Sequence, residues 1–278
     1  MKTSPLKLAK HRSQPGILGR LGKLETRLAN SRSEIKQAQR LRYGVFFEEQ
    51  SAKAGTLNRK LRRDTDRFDA YCDHLVVVDT SLPKAQWVVG TYRILDDAGA
   101  RMAGGFYSQT EFDLSPILTQ TPSRRHLELG RSCIASEYRN RRTMELMWQG
   151  IWALVVERKI DLLFGCVSFQ GTDTREHQAA LSWLQQNASL GPTDDCVPIR
   201  NGFVCKETHK FCDFSGRRAF SNLPPLLKGY LRVGARVSSA ASVDLAFNTT
   251  DLLVVLQVAD ISPKYIQHYG IDASRFAA

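Results

Sequence analysis

The apolar positions change period along the chain, and each change marks an element. Ser31-x-x-Glu34 has capping-box spacing, and Ile35, Ala38, Leu41 and Val45 follow at helical intervals. The first ordered element is therefore predicted to be a helix opening near Ser31. Residues 57–69 carry charge without periodicity and read as an exposed loop. A β-branched run at 74–79 and a second strand at 87–95, with Val89, Thr91, Arg93 and Leu95 on one face, are joined by a Pro83-containing turn as a hairpin. A Gly104-Gly105 turn and the segment 106–114 follow. Residues 126–134 read as a strand interrupted by Gly130. Residues 142–159 read as a helix with a stripe of Met144, Met147, Trp148, Ile151, Leu154 and Val155. Another strand (162–169) and a helix (174–186) opened by Asp173-x-x-Glu176 complete this part. Beyond it, a strand at 252–258 and a Pro224-Pro225 break are the clear signals, and no internal repeat is present. Antiparallel strands followed by a helix–strand–helix unit predict a mixed α/β (α+β) sheet protein.

With 278 residues, 42% hydrophobic and 24% charged, the chain has the composition of a globular domain with a sizeable core. The charge distribution adds information. Residues 1–67 hold 17 Lys/Arg against 6 Asp/Glu, which accounts for the whole net charge of +11, and residues 68–278 are balanced. Residues 1–30 are expected to form a basic, partly disordered arm. A solvated tail is its plain reading; attraction to anionic lipid, to an acidic protein or to nucleic acid are alternatives that charge alone does not separate. No secretory apolar region follows Met1, and no apolar run is long enough to span a bilayer. The six cysteines form no CxxC pair, so a cytoplasmic protein with reduced thiols is expected.

Charged residues also fall where burial is predicted. Arg42 and Glu48 flank Tyr43, Val45 and Phe46; Asp69, Asp73 and Asp79 bracket the first strand of the hairpin, and Arg93 lies inside the second. Glu128 and Arg131 sit among Leu127, Leu129 and Cys133. Buried ions need partners, so these residues form either a structural ion-pair network or a site. Glu128 and Arg131 are three apart and would point to opposite faces of a regular strand. An extra residue at Gly130, a bulge, would bring both to one face and could free a backbone N–H for a developing oxyanion.

Four segments occur in a telling order: Arg42-Tyr43-x-Val45-Phe46-x-Glu48, Asp73-His74-Leu75-x-Val77-x-Asp79, Val89-Gly90-Thr91-Tyr92-Arg93-x-Leu95 and Glu128-Leu129-Gly130-Arg131-Ser132. They resemble the acyl-homoserine-lactone synthase branch of the GNAT-type N-acyltransferase fold. The resemblance is closer still to bacterial acyltransferases of ornithine lipid synthesis, in which Gly105-Phe106-Tyr107-Ser108-x-x-Glu111-Phe112-Asp113-Leu114 and Phe247-Asn248-Thr249-Thr250-Asp251 are also characteristic. It implies a mostly antiparallel sheet flanked by helices: a core at 31–188 and a C-terminal extension at 189–278 packed on it. It also implies transfer of a 3-hydroxyacyl chain from acyl carrier protein to the α-amine of L-ornithine, with no metal and no cofactor beyond the donor's phosphopantetheine thioester.

By similarity, Arg42, Glu48, Asp73, Arg93, Glu128 and Arg131 fall where the lactone synthases keep functional charged residues. An α-amine is largely protonated at neutral pH and must lose a proton before attack; Glu128 is the expected base. The backbone beside Gly130 is the expected oxyanion donor. Arg131 or Arg93 suits the substrate carboxylate, and Asp73 or Glu48 the δ-ammonium. Acetyl-CoA users of the fold follow this strand with a Gly-rich pyrophosphate turn. Here Tyr138-Arg139-Asn140-Arg141-Arg142-Thr143 has no glycine, so Arg139, Arg141 and Arg142 are expected to serve the single phosphate of an acidic carrier protein.

Cys205-x3-His209-x2-Cys212 matches no standard zinc arrangement, Cys133 reads as a buried structural thiol, and His74 and His126 are secondary candidates for proton transfer. Two competing functions stand beside the main one. A lactone synthase disagrees with the long extension, and a nucleic-acid-binding protein disagrees with the balanced body. Peripheral attachment at the inner membrane through the basic arm is the accompanying expectation, and nucleic acid ranks behind lipid and carrier protein as a partner of the arm.

Overall fold

One sheet organises the computed structural model, which describes residues 16–50, 52–119, 123–204 and 213–270. Its strands are β1 (Gly19–Leu21), β2 (Leu24–Leu28), β3 (Asp73–Asp79), β4 (Val88–Asp96), β5 (His126–Ile134), β6 (Leu162–Gln170), β7 (Gly202–Val204), β8 (Arg236–Val237), β9 (Ala240–Asp244) and β10 (Thr249–Gln257). They lie in the order β1-β2-β3-β4-β5-β6-β10-β9-β7, with β8 paired to β10. The helices are α1 (Arg32–Tyr43), α2 (Thr56–Leu61), α3 (Asp97–Ala103), α4 (Ser115–Leu118), α5 (Arg141–Arg158), α6 (Thr174–Ala188), α7 (Asp213–Ser221), α8 (Pro225–Arg232) and α9 (Pro263–Gly270). The sheet is antiparallel except for β5 and β6, which α5 joins by a crossover.

Strand alternation sorts the side chains onto two faces. On one, Leu75, Tyr92, Leu129, Leu163 and Leu252 meet the stripe of α5, including Met147 and Ile151. On the other, Leu95, Phe164, Leu253 and Val255 pack with Phe106 and Phe112. The polar residues of interest lie on this second face.

Three expectations are corrected. Order begins before Ser31: β1 and β2 form a hairpin, and β2 pairs with β3 from Leu24↔Asp79 to Leu28↔Leu75. Residues 19–28, a third of the supposed arm, are thus a sheet edge, held because Thr26 and Arg27 are buried and Arg27 forks onto Glu34 at 2.6 and 2.9 Å; residues 1–15 lie outside the described residues. The stretch 57–69 is not an exposed loop. It contains α2 and a 3-10 turn, Arg67–Ala70, and Asp64 is only 2% exposed, because the acids of the stretch meet Arg42 of α1 and Arg93 and Arg131 of the sheet. The extension is not a layer laid on a finished core: β10 pairs with β6 along its full length, so the last quarter of the chain completes the middle of the sheet.

Candidate active site

β5 and β6 are in register only over His126↔Leu162, Leu127↔Leu163 and Glu128↔Phe164. Beyond these pairs the strands part and open a cleft between Leu129–Ser132 and Gly165–Val167, floored by Tyr92 and Tyr230. Gly165 permits the fork: a Cβ there would stand 2.1 Å from the Leu129 carbonyl oxygen. The Leu129 carbonyl packs against Gly165, and Gly130, Arg131 and Ser132 line the cleft beyond it.

The bulge exists, one residue later than expected. Thr91 faces Cys133 and Arg93 faces Gly130, so Arg131 and Ser132 together oppose Tyr92. The left-handed residue is Arg131, at φ 51°, and not Gly130, whose own backbone is regular enough to pair with Arg93. The extra residue brings Glu128 and Arg131 to one face, where both reach the turn at Tyr107 and Ser108.

Three arginines converge on that face with three aspartates of the 64–69 segment. Arg42, fully buried on α1, donates to the Asp64 carbonyl at 2.6 Å and to Asp69 at 2.8 and 3.0 Å. Its Nε lies 2.8 Å from Asp64 Oδ2, off the N–H axis, so that contact is coulombic. Arg93 pairs with Asp66 at 2.6 Å, and Arg131 lies 3.3 Å from Asp64 and 3.7 Å from Asp66. The Arg131 guanidinium is also stacked between Tyr107 (4.6 Å) and Phe247 (4.4 Å). Asp64 and Asp66, which sequence reasoning left in a loop, are therefore the hinge of the network. Their spacing with Asp69 beside the hairpin was the available signal.

Glu128 is sealed. It is 3% exposed and accepts from the Tyr107 N–H (2.8 Å), the Ser108 N–H (2.6 Å) and the Ser108 hydroxyl (2.6 Å). Burial raises its pKa and these bonds oppose the rise. A carboxylate so engaged latches the 107–110 turn, a role that competes with the expected one as base. Glu48 is half-exposed and pairs with Arg62, and Asp73 pairs with Arg158 at 2.6 Å, so neither joins the arginines. Asp79 accepts from Ser81 and from the Tyr138 hydroxyl, away from the network. Arg139 is tied to the Ile134 carbonyl and to Glu49, and exposed Arg141 pairs with Glu145 at 2.7 Å. Arg139, Arg141 and Arg142 are exposed around the start of α5, on the turn that follows β5.

Burial pushes the Cys133 thiol up to about 12, which removes it as a nucleophile. Burial pushes His74 down to about 4, so it is neutral, and His126 pairs with Asp97 at the closed end of the cleft. The Cys205, His209 and Cys212 group lies outside the described residues. Among the described residues, one set of carboxylates has metal-ligand spacing: Glu111, Asp244 and Asp251, within 4.8 Å of one another. The expectation of no metal had left this set unnoticed.

A model of the acetyltransferase (GNAT) domain matches residues 41–149. Over 94% of its length the chain is 45% identical to the L-ornithine N(alpha)-acyltransferase of Brucella abortus (strain 2308), covering 93% of that protein. Identity to the protein of the same name from Rhizobium meliloti (strain 1021) is 44%, over 94% of this chain and 89% of that one. The chain belongs to the L-ornithine N(alpha)-acyltransferase family. As a member it is an N-acyltransferase, with an acyl donor and an amino acceptor, on a GNAT-type mixed sheet. Similarity in shape extends to the AHL synthase LasI, at 13% identity and a TM-score of 0.46 over 89% of this chain and 95% of that one. Within the family member described here, no helix among the described residues is long and apolar enough to cross a membrane.

Proposed function

We propose that this acyltransferase moves a 3-hydroxyacyl chain from the phosphopantetheine thioester of acyl carrier protein to the α-amine of L-ornithine, giving lyso-ornithine lipid. The observation that carries the reading is the near full-length identity to acyltransferases of that name, in a chain whose β5–β6 cleft opens beside a caged arginine. The thioester enters the cleft, and the deprotonated α-amine attacks its carbonyl. Negative charge that develops on the carbonyl oxygen meets backbone groups of the parted β5 edge, near Gly130 and the Arg131–Ser132 bulge. The C–S bond then breaks, and the sulfur leaves as a thiol with the N–H proton that the attacking nitrogen gives up, the first ammonium proton having gone to water. Arg131 holds the acceptor carboxylate with its planar fork, Arg42 and Arg93 set the aspartates that orient it, and Glu128 positions the 107–110 turn beneath it.

No diphosphate cradle of glycines follows β5. The exposed Arg139, Arg141 and Arg142 suit one phosphate and the acidic surface of a carrier protein. A lipid product and a basic N-terminal quarter support work at the cytoplasmic face of the inner membrane. The test is incubation with 3-hydroxyacyl carrier protein and a panel of amino acids, followed by mass spectrometry. N-acyl-ornithine is expected, and absence of any N-acyl amino acid refutes the reading.

A further inference from the structure

Two segments that reach Arg131 each also carry an acid. The 107–111 segment stacks Tyr107 on Arg131 and ends in Glu111; the turn from β9 into β10 stacks Phe247 on its other side and is flanked by Asp244 and Asp251. Asp244 Oδ1 accepts from the Ala246 and Phe247 amides, which fixes this turn, and Asp251 Oδ2 accepts from the Thr249 hydroxyl at 3.1 Å. Asp251 is 4% exposed and faces Ser168 and Glu111 as well as Thr249, but Asp251 Oδ1 and Glu111 Oε2 are buried without a well-aligned hydrogen-bond donor. Among the described residues no lysine, arginine or histidine pairs with any of the three carboxylates. Burial pushes Asp251 up to about 6 and Glu111 well above the ordinary carboxylate range, with each other's neighbourhood of negative charge adding to the effect on Glu111. With Arg131 acting on Glu111, three carboxylates within 4.8 Å still repel one another enough to raise two of them, and a further cation would relieve that repulsion.

We infer that Glu111, Asp244 and Asp251 form the cation-recognising end of the acceptor site and select an amino acid with a side-chain ammonium. This deepens the function proposed above and rests on it. An ammonium has three N–H donors and no acceptor, which matches three converging carboxylates. The acceptor would then lie between opposite poles: its carboxylate on Arg131, its terminal ammonium on the acid trio, its α-amine turned to the cleft. Glu48 and Asp73, the acids expected for this role, are neutralised elsewhere by Arg62 and Arg158.

The experiment compares L-ornithine with L-norvaline, which has the same carbon skeleton and no ammonium, as acceptors for the wild type, Asp251→Asn and Glu111→Gln. The wild type is expected to prefer ornithine by about a hundredfold or more in kcat/KM, and each variant to raise the ornithine KM by about tenfold or more, so that the preference shrinks. An unchanged preference, or a parallel loss with both acceptors, overturns the inference in favour of a structural role. So does activity that a chelator abolishes and a divalent metal restores, since the trio is then a metal site. Calorimetric titration of each protein with ornithine alone separates this inference from the proposed function. If no acyl transfer occurs with any amino acid but ornithine binds the wild type about tenfold or more tighter than Asp251→Asn, the trio stands and the acyl-transfer reading falls. Equal affinities overturn the trio.

Discussion

Arg42→Met replaces a fully buried guanidinium by an apolar chain of similar length and leaves two acids without their main cation. Asp69, 9% exposed at its side chain, would keep Arg93 only at 3.9 Å, and Asp64, 3% exposed, would keep Arg131 at 3.3 Å. Breaking a buried pair from one side costs about 3–5 kcal/mol, because the partner charge stays desolvated. For a chain of this size that lowers the melting temperature by about 10 °C. The assay is urea unfolding followed by tryptophan fluorescence, on Arg42→Met, Asp69→Asn and the double variant. The double variant is expected to recover about 1 kcal/mol or more of the summed losses, since it removes the stranded charge. A loss under about 1 kcal/mol for Arg42→Met, or strict additivity in the cycle, would show that the network carries no such coupling.

Glu128→Gln replaces an acceptor of three bonds by an amide that offers one acceptor atom, so a stability loss of about 1–3 kcal/mol is expected by thermal unfolding. Full stability combined with abolished turnover would restore Glu128 as the base. Gly165→Ala sets a Cβ against the Leu129 carbonyl oxygen, which belongs to backbone and cannot swing aside. It is expected to cost about 1–3 kcal/mol and to raise the donor KM, and a variant with wild-type kinetics contradicts the fork described above. Asp251 has a folded-state pKa of about 6 against 3.8 when free, so the folded chain holds a proton that the unfolded chain has lost. Stability therefore falls as pH rises from about 4 to above 6, by up to about 3 kcal/mol, and Asp251→Asn removes that loss. Denaturant titrations at pH 5 and pH 8 should show a larger relative gain for the variant at pH 8; an equal effect at both refutes the assignment.

The backbone of the fold was legible because its periods are strong. β3, β4, β5, β6, α5 and α6 lie within one or two residues of the elements read from Leu75, Val77, Met147, Ile151 and their neighbours. The β1–β2 hairpin was not legible, since Gly19–Leu28 carries too few apolar positions to alternate convincingly. The site was half legible. Arg93 and Arg131 stand inside apolar strands, where an ion is conspicuous, and the mismatch between Glu128 and Arg131 announced a bulge. Asp64, Asp66, Glu111 and Asp251 lie in charged or turn-rich segments, where local pattern cannot distinguish a solvated acid from one buried against a distant arginine. Only the pairing of β10 with β6 brings Asp251 to the site, and that contact spans more than eighty residues of chain.

The position of the bulge has a physical reason of its own. A non-glycine residue in the left-handed region costs about 1–2 kcal/mol, and Gly130, one position earlier, could have taken that conformation freely. Arg131 takes it because the kink turns its guanidinium between the Tyr107 and Phe247 rings and toward Asp64 and Asp66. Two ring contacts at about 0.5–2 kcal/mol each are enough to offset the backbone term without counting the ion pairs. Within β5 the strain thus falls on the residue that the proposed mechanism sets against the acceptor, and the rings that hold it there sit on the two segments that also bring the acid trio. Arg131, Tyr107 with Glu111, and Phe247 with Asp244 and Asp251 form one connected unit, in which two left-handed residues, Arg131 and Asn248 (φ 55°), set the anion-binding and cation-binding ends of the acceptor site against each other.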